Sequence, residues 1–280
     1  MSSRCRDAAM AVALACCASA SIPAPAREAA RPAEPLRVCA DPHNLPQSHA
    51  DGSGYEDRIA AVLAQALGRP LLRVQMPLRR GFVRKTIGEG HCDVLMGVPA
   101  GFERLSTTRP YLRSGYVFAN RESTRQPLLG FDHPRLPSLR IGLQLPGDDR
   151  AATPPGHMLA RQGAGAGVVG YTPYGEEPAV QRMLQALQAG ALDAVIAWGP
   201  QAGPLVQQTS GSWEPLRWSF APAGQALPGL PFEFDIAVGV QKGQTALRDA
   251  LQQAMDARRV EIEAILDEAG VPRLPLEPRP

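Results

Sequence analysis

The chain of 280 residues has little of several things that would have given its function away. Aromatic residues make up 5 % of it, and the formal net charge is only +2. So even a charge balance offers no concentrated basic face, and gives no electrostatic case for nucleic acid or an anionic membrane surface as partner. No Gly-x-Ser-x-Gly, His-Glu-x-x-His or Walker-type phosphate loop occurs, so the common hydrolase, zinc-protease and nucleotide-binding signatures are missing. The five histidines (His43, His49, His91, His133, His157) are scattered and lack the helical spacing of metal ligands, so no metal site is predicted. Beyond the first residues no apolar run is long enough to cross a bilayer.

What is present begins with a leader. Arg4 and Arg6 precede a small, apolar run from Ala8 to Ala20, too short to span a membrane. Ala18-Ser19-Ala20 and Ala24-Pro25-Ala26 are both small-x-small cleavage sites, so residues 1–26 are predicted to be an export signal peptide and the periplasm the destination. Two overlapping stretches ending at Cys16 and Cys17 approach a lipoprotein box, and neither fits it well. Removing the leader leaves Cys39 and Cys92, and an even pair in an exported protein reads as one disulfide. The alternatives are two buried thiols or a metal pair.

Strand and helix patterns alternate along the rest. Leu36–Ala40, Leu71–Met76 and Asp93–Val98 read as strands, separated by an amphipathic helix over Tyr55–Leu67 and a short one over Gly81–Ile87. In the helix, Ile59, Val62, Leu63, Ala66 and Leu67 fall on one face. The pattern recurs with strands at Arg140–Leu143, Val168–Tyr171 and Asp193–Trp198 and helices over Thr153–Gln162 and Ala179–Gln188. Gly90-His91-Cys92-Asp93-Val94-Leu95 parallels Gly190-Ala191-Leu192-Asp193-Ala194-Val195, a helix stop, an Asp and a buried parallel strand. Two such units imply two α/β lobes. Tyr111–Ala119 carries the chain between them, Phe234–Val240 carries it back, and a helical region over Ala246–Glu268 closes it. Ligands on α/β sheets sit beyond the carboxyl ends of the strands, which places a binding cleft between the lobes.

Several loops are candidates for that cleft. Thr153 before Pro154-Pro155 is an N-cap whose helix start, with Asp148 and Asp149 nearby, is about as well explained by capping as by ligand binding. Arg79 and Arg80 end a strand and could hold a carboxylate. Trp198 is either a cleft wall or core. Gly165-Ala166-Gly167-Val168-Val169-Gly170 matches Gly-x-Gly-x-x-Gly, but a helix precedes it and a strand follows, the reverse of a dinucleotide site.

Taken together, Leu36-Arg37-Val38-Cys39-Ala40-Asp41-Pro42 with Asn44-Leu45-Pro46, Arg79-Arg80-Gly81-Phe82, Cys92-Asp93-Val94-Leu95-Met96-Gly97-Val98-Pro99, Thr107-Thr108-Arg109-Pro110-Tyr111, Gly147-Asp148-Asp149, Trp198-Gly199-Pro200 and Gly270-Val271-Pro272 resemble one family. This is the quinoprotein dehydrogenase-associated periplasmic solute-binding proteins, of the MoxJ/XoxJ type. The resemblance implies a type 2 periplasmic binding protein fold, two α/β lobes joined by a two-strand hinge with a cleft between them. On that reading residues 36–117 and 234–275 form lobe 1 and residues 118–233 lobe 2. It implies a pyrroloquinoline quinone (PQQ)-dependent alcohol dehydrogenase of the methanol type as partner, together with its cytochrome c. The cofactor would belong to that dehydrogenase, with none bound by this chain. Cleft residues are expected to be Asp41, Asn44, Arg79, Arg80, Phe82, Arg109, Asp149, Thr153 and Trp198, with no catalytic residue. Amino-acid receptors of the wider superfamily use an arginine after the third strand, but here Arg104 is out of register and Gly101-Phe102 stands in its place. The alternative function is the substrate-binding component of an ABC transporter for a small organic solute.

Overall fold

The computed structural model describes residues 33–145, 153–208, 211 and 213–276. The expected signal peptide and Asp149 lie outside the described residues. The first half contains β1 (Leu36–Ala40), a small hairpin of β2 (His43–Asn44) and β3 (Ser48–His49), and helix α1 (Tyr55–Ala66). Then come β4 (Leu71–Gln75), a π-helical turn over Arg84–Gly88, β5 (Val94–Pro99) and β6 (Leu105–Thr107). The long β7 (Leu112–Arg121) leads to β8 (Ile141–Gln144), α2 (Pro154–Arg161), β9 (Val168–Tyr171) and α3 (Ala179–Gln188). These are followed by β10 (Ala194–Trp198), α4 (Gly199–Gln208) and β11 (Leu216–Phe220). β12 (Glu233–Gln241) returns the chain to α5 (Thr245–Ala257) and α6 (Arg259–Glu268).

Hydrogen bonding links the strands in the order β4-β1-β5-β12-β7-β10-β8-β9, with β6 beside β12 and β11 beside β7. β1 runs parallel to β4 and β5, and β8 parallel to β9 and β10. β12 lies antiparallel to β5, and β7 antiparallel to β10. Each lobe is therefore a parallel triplet plus one antiparallel strand, β4-β1-β5-β12 in one and β9-β8-β10-β7 in the other. The two antiparallel strands pair with each other from Glu233–Gly115 to Ile236–Leu112 and form the hinge.

Burial follows the apolar pattern. Ile59, Val62 and Leu63 of α1 pack on Leu36 and Val38 of β1, Val238 and Val240 of β12, and Leu251 and Leu266 of α5 and α6. Ala66, expected on the same face, is exposed. In the other lobe Met183, Leu184 and Leu187 of α3 cover Val195 and Ala197 of β10. The C-terminal helical region is two helices, broken at Arg258, where φ is −109°.

The internal repeat is visible at atomic detail. Arg37 donates to Asp93 Oδ1 at 2.6 Å and to the Gly90 carbonyl at 2.8 Å, while its backbone N–H donates to Asp93 Oδ2 at 3.0 Å. Arg140 repeats all three contacts with Asp193 (2.9 and 2.8 Å) and the Gly190 carbonyl (2.8 Å). Gly90 and Gly190 both hold positive φ, +75° and +73°, which ends the preceding helical turn and presents that carbonyl. The clamp fixes the first strand of each triplet to the entrance of the third.

Cys39 of β1 and Cys92 are joined as a disulfide, with Cα atoms 5.6 Å apart, inside a small cluster with Ile87, Leu95, Val98 and Leu105. The Gly-rich stretch is, as its context indicated, a turn between helix and strand, Gly165–Gly167 leading into β9. Helix α4 and strand β11 have no counterpart in the strand and helix pattern of the sequence. α4 carries Pro204 and Gly203 in its interior, both unfavourable to a helix in isolation, while Pro200 in its first turn is compatible with one. Burial of Ala202 and Leu205 and close seating of Gly203 on Pro272 favour the helix despite them.

Candidate functional site

The carboxyl ends of β1 and β5 open on a cavity of about 290 Å³, close to the lower end of pockets that enclose small molecules, roughly 300 Å³. Its walls include Leu78, Phe82, Leu95, Met96 and Phe102, and its polar lining is Asp41, Asn44, Gln47, Ser48, Glu56, Asp57 and Gln201. All but one of these come from the first lobe. Gln201, on α4 of the second, reaches across and donates to Asn44 Oδ1 at 3.4 Å.

Each acid is held differently. Asp41, just after β1, accepts the His43 N–H at 2.9 Å and the Leu78 N–H at 2.7 Å, and so ties two cleft loops to the strand end. Asp57 is buried and accepts the His49 N–H at 2.8 Å. Burial pushes its carboxyl up, and the His49 N–H and the more distant Arg73 charge pull the other way. Glu56 is the least supported. Its carboxylate lies against Gly97 and accepts one hydrogen bond, from the Tyr111 hydroxyl at 3.3 Å. Removal from water pushes it up to about 7, and the charge of Asp57 adds to the shift while Tyr111 opposes it. Burial raises the Tyr111 phenol well above its ordinary value, so it stays protonated and remains a donor. Gly97 makes room for Glu56: it holds φ +68°, and a Cβ there would stand 2.5 Å from Glu56 Oε1.

The residues expected in the cleft divide into groups. Asp41, Asn44 and Phe82 line the cavity. Arg79, next in sequence to the lining residue Leu78, has its guanidinium carbon 5.0 Å from the ring centroid of Tyr174 in the second lobe, a cation–π contact between lobes. Arg80 is exposed on the same loop and outside the cavity lining. Arg109 is turned to α5, where it pairs with Asp256 and its N–H donates to Gln252, so it does not belong to the cavity. Trp198 packs edge-on against Tyr116 (5.7 Å) and Phe234 (5.8 Å), one ring on each hinge strand, and is a hinge residue rather than a cavity wall.

Thr153 precedes α2 with its carbonyl accepting the His157 N–H, but its side chain makes no cap hydrogen bond. Pro155 at the second helical position has no N–H to offer. Phe102 lines the cavity, whereas Arg104 is exposed outside it.

Glu56 and Asp57 are cavity residues that the sequence reading passed over. A signal was there: Glu56 sits three and seven residues before Ile59 and Leu63, an acid on the buried stripe of α1. Among the described residues no cluster of three His, Cys, Asp or Glu side chains is placed to hold a metal ion. Nor is any helix among them long and apolar enough to cross a membrane.

Two lobes of matching topology, a paired-strand hinge and a cavity at the strand ends define a type 2 periplasmic binding protein fold. No family model matches the chain. It is 35 % identical over 270 residues to Protein MoxJ of Methylorubrum extorquens, covering 90 % of this chain and 86 % of that one. It is 32 % identical over 249 residues to Protein MoxJ of Paracoccus denitrificans, covering 86 % and 89 %. The chain belongs to the MoxJ family. Its fold superposes on the crystal structure of MxaJ from Methlophaga aminisulfidivorans with a TM-score of 0.73 at 23 % identity, over 85 % of this chain and 100 % of that one. For the periplasmic binding protein XoxJ of Methylobacterium extorquens the TM-score is 0.70 at 30 % identity, over 86 % and 100 %. The same fold is shared with an ancestral cationic amino acid solute-binding protein, at a TM-score of 0.63 and 16 % identity.

Proposed function

We propose that the chain is an exported accessory protein of a PQQ-dependent alcohol dehydrogenase of the methanol type, a binding protein and not an enzyme. Residues 1–26 direct it to the periplasm, residues 36–117 and 234–275 form one lobe, and residues 118–233 form the other. The lobes close on a segment of the dehydrogenase, or of its cytochrome c, and so help mature or activate it. Closure is driven only by contacts that exist in the closed state. The reading is supported chiefly by kinship with the MoxJ proteins over most of the chain. The cofactor stays with the dehydrogenase: PQQ is a polycarboxylate, and a cavity lined by Asp41, Glu56 and Asp57 does not fit it.

Titrating the mature protein against apo and PQQ-loaded dehydrogenase tests this, by calorimetry with dehydrogenase activity as second readout. Saturable binding that raises activity is expected. Failure to bind either form well above micromolar concentration would overturn the accessory role. The second reading, a receptor for an ABC transporter, is favoured by the size of the cavity and by the lobes already touching at Arg79–Tyr174 and Gln201–Asn44. A tight small ligand in the absence of dehydrogenase binding would select it.

A further inference from the structure

The cavity has a sign. Asp41, Glu56 and Asp57 all contribute to its lining, and none of its described lining residues is Lys, Arg or His. Arg79, next in sequence to the lining residue Leu78, faces the Tyr174 ring. Asp41 and Asp57 are occupied in holding backbone N–H groups, which leaves Glu56 with the single Tyr111 hydroxyl as donor. The lining holds a second acceptor: Gln47 Oε1 is buried without a hydrogen-bond partner. Buried acceptors without donors are costly, and a carboxylate in such a place gains most from a cation that donates hydrogen bonds. The remaining wall is apolar and aromatic, Leu78, Phe82, Met96 and Phe102 among it, suited to a methylene stem and to the face of a cation.

We infer that this cavity receives an organic cation on an aliphatic stem, an ammonium or guanidinium such as a lysine or arginine side chain presents, with Glu56 as its counter-charge. The inference rests on the binding-protein reading above and names what the cleft binds. A free amine and a basic side chain of a partner segment share this chemistry. Burial raises the Glu56 carboxyl to about 7, and a cation beside it favours the ionised form, so capture draws the proton off Glu56.

The test is calorimetry of the mature protein with n-butylamine, with acetyl-Gly-Lys-Gly-amide, and with the same peptide carrying norleucine for lysine. The cationic probes are expected to bind about ten- to hundredfold more tightly than the norleucine peptide. That preference should vanish in Glu56→Gln, whose fold is checked by circular dichroism. Butylamine binding as well as the lysine peptide identifies a free solute, and binding of the peptide alone identifies a protein segment. Equal binding of the lysine and norleucine peptides, or an undiminished preference in Glu56→Gln, overturns the inference. If the dehydrogenase binds but the lysine preference is absent, the accessory role stands and the cation assignment alone falls.

Discussion

Replacing Glu56 by glutamine keeps the shape and an acceptor for Tyr111 but removes the ionisation. In the folded chain the carboxyl is raised from 4.5 to about 7, chiefly by desolvation. The groups facing it are Tyr111 ahead of β7, Asp57 on its own helix and the cavity lining around Asp41, and no described cation is among them. A raised folded pKa means that the native state holds the proton more tightly than the unfolded chain. Below about pH 4.5 both states are protonated and Glu56 costs nothing. Between 4.5 and 7 the native state loses stability as the pH rises, and above 7 the full cost applies, about 3 kcal/mol for that difference. Glu56→Gln carries no such cost. Its melting temperature should match wild type near pH 4.5 and exceed it by roughly 6–12 °C at pH 8, taking about 2–4 °C per kcal/mol for a chain of this size. Thermal melts followed by circular dichroism across pH 4–8 measure the gap. A gap that does not change with pH, or that favours wild type at pH 8, would refute the argument that this half-buried carboxyl is desolvated without a counter-ion.

Three further outcomes are expected. Gly97→Ala places a methyl group on Glu56 at a backbone angle that disfavours it, and should cost roughly 1–3 kcal/mol in denaturant unfolding and abolish ligand binding in the cavity. Replacing both Cys39 and Cys92 by serine opens a loop of 53 residues, which chain entropy values at about 4 kcal/mol, and should appear as the same fall in stability that reducing agent produces in wild type. Asp193→Asn breaks the Arg140 clamp and should cost about 1 kcal/mol at neutral pH, the carboxylate being partly exposed. Hydrogen bonding from Arg140 holds that carboxyl below 3.8, so its contribution is present above that pH and is lost as pH falls through the folded value. The variant and wild type should therefore converge in acid.

Much of the architecture was legible in local pattern. The strand and helix alternation and the Gly-to-Asp repeat each rest on spacing within a few residues, and each found its counterpart in β1, α1, β5 and β8, α3, β10. The expectation of export and an even count favoured a disulfide over two buried thiols or a metal pair, and Cys39 and Cys92 are joined. α4 and β11 were illegible because their local preferences point the wrong way: Pro204 and Gly203 in α4 are outweighed by packing on Pro272, and β11 exists only as an edge along β7. Arg109 and Trp198 stand at loop and strand ends where sequence cannot tell which side a side chain takes, and the partners that decided it, Asp256 and the Tyr116–Phe234 pair, are distant in the chain.

The sequence by itself determined two α/β units, the strands that carry the chain between them and the cysteine pair, because periodicity and turn residues act over short distances. Only the tertiary structure decided the character of the site. Glu56 reads as an ordinary first-turn acid until β5 brings Gly97 against it and Tyr111 closes over it, and its pKa is a property of that enclosure rather than of glutamate. Desolvation depends on what surrounds a group in space, and that information is held jointly by residues far apart in the chain.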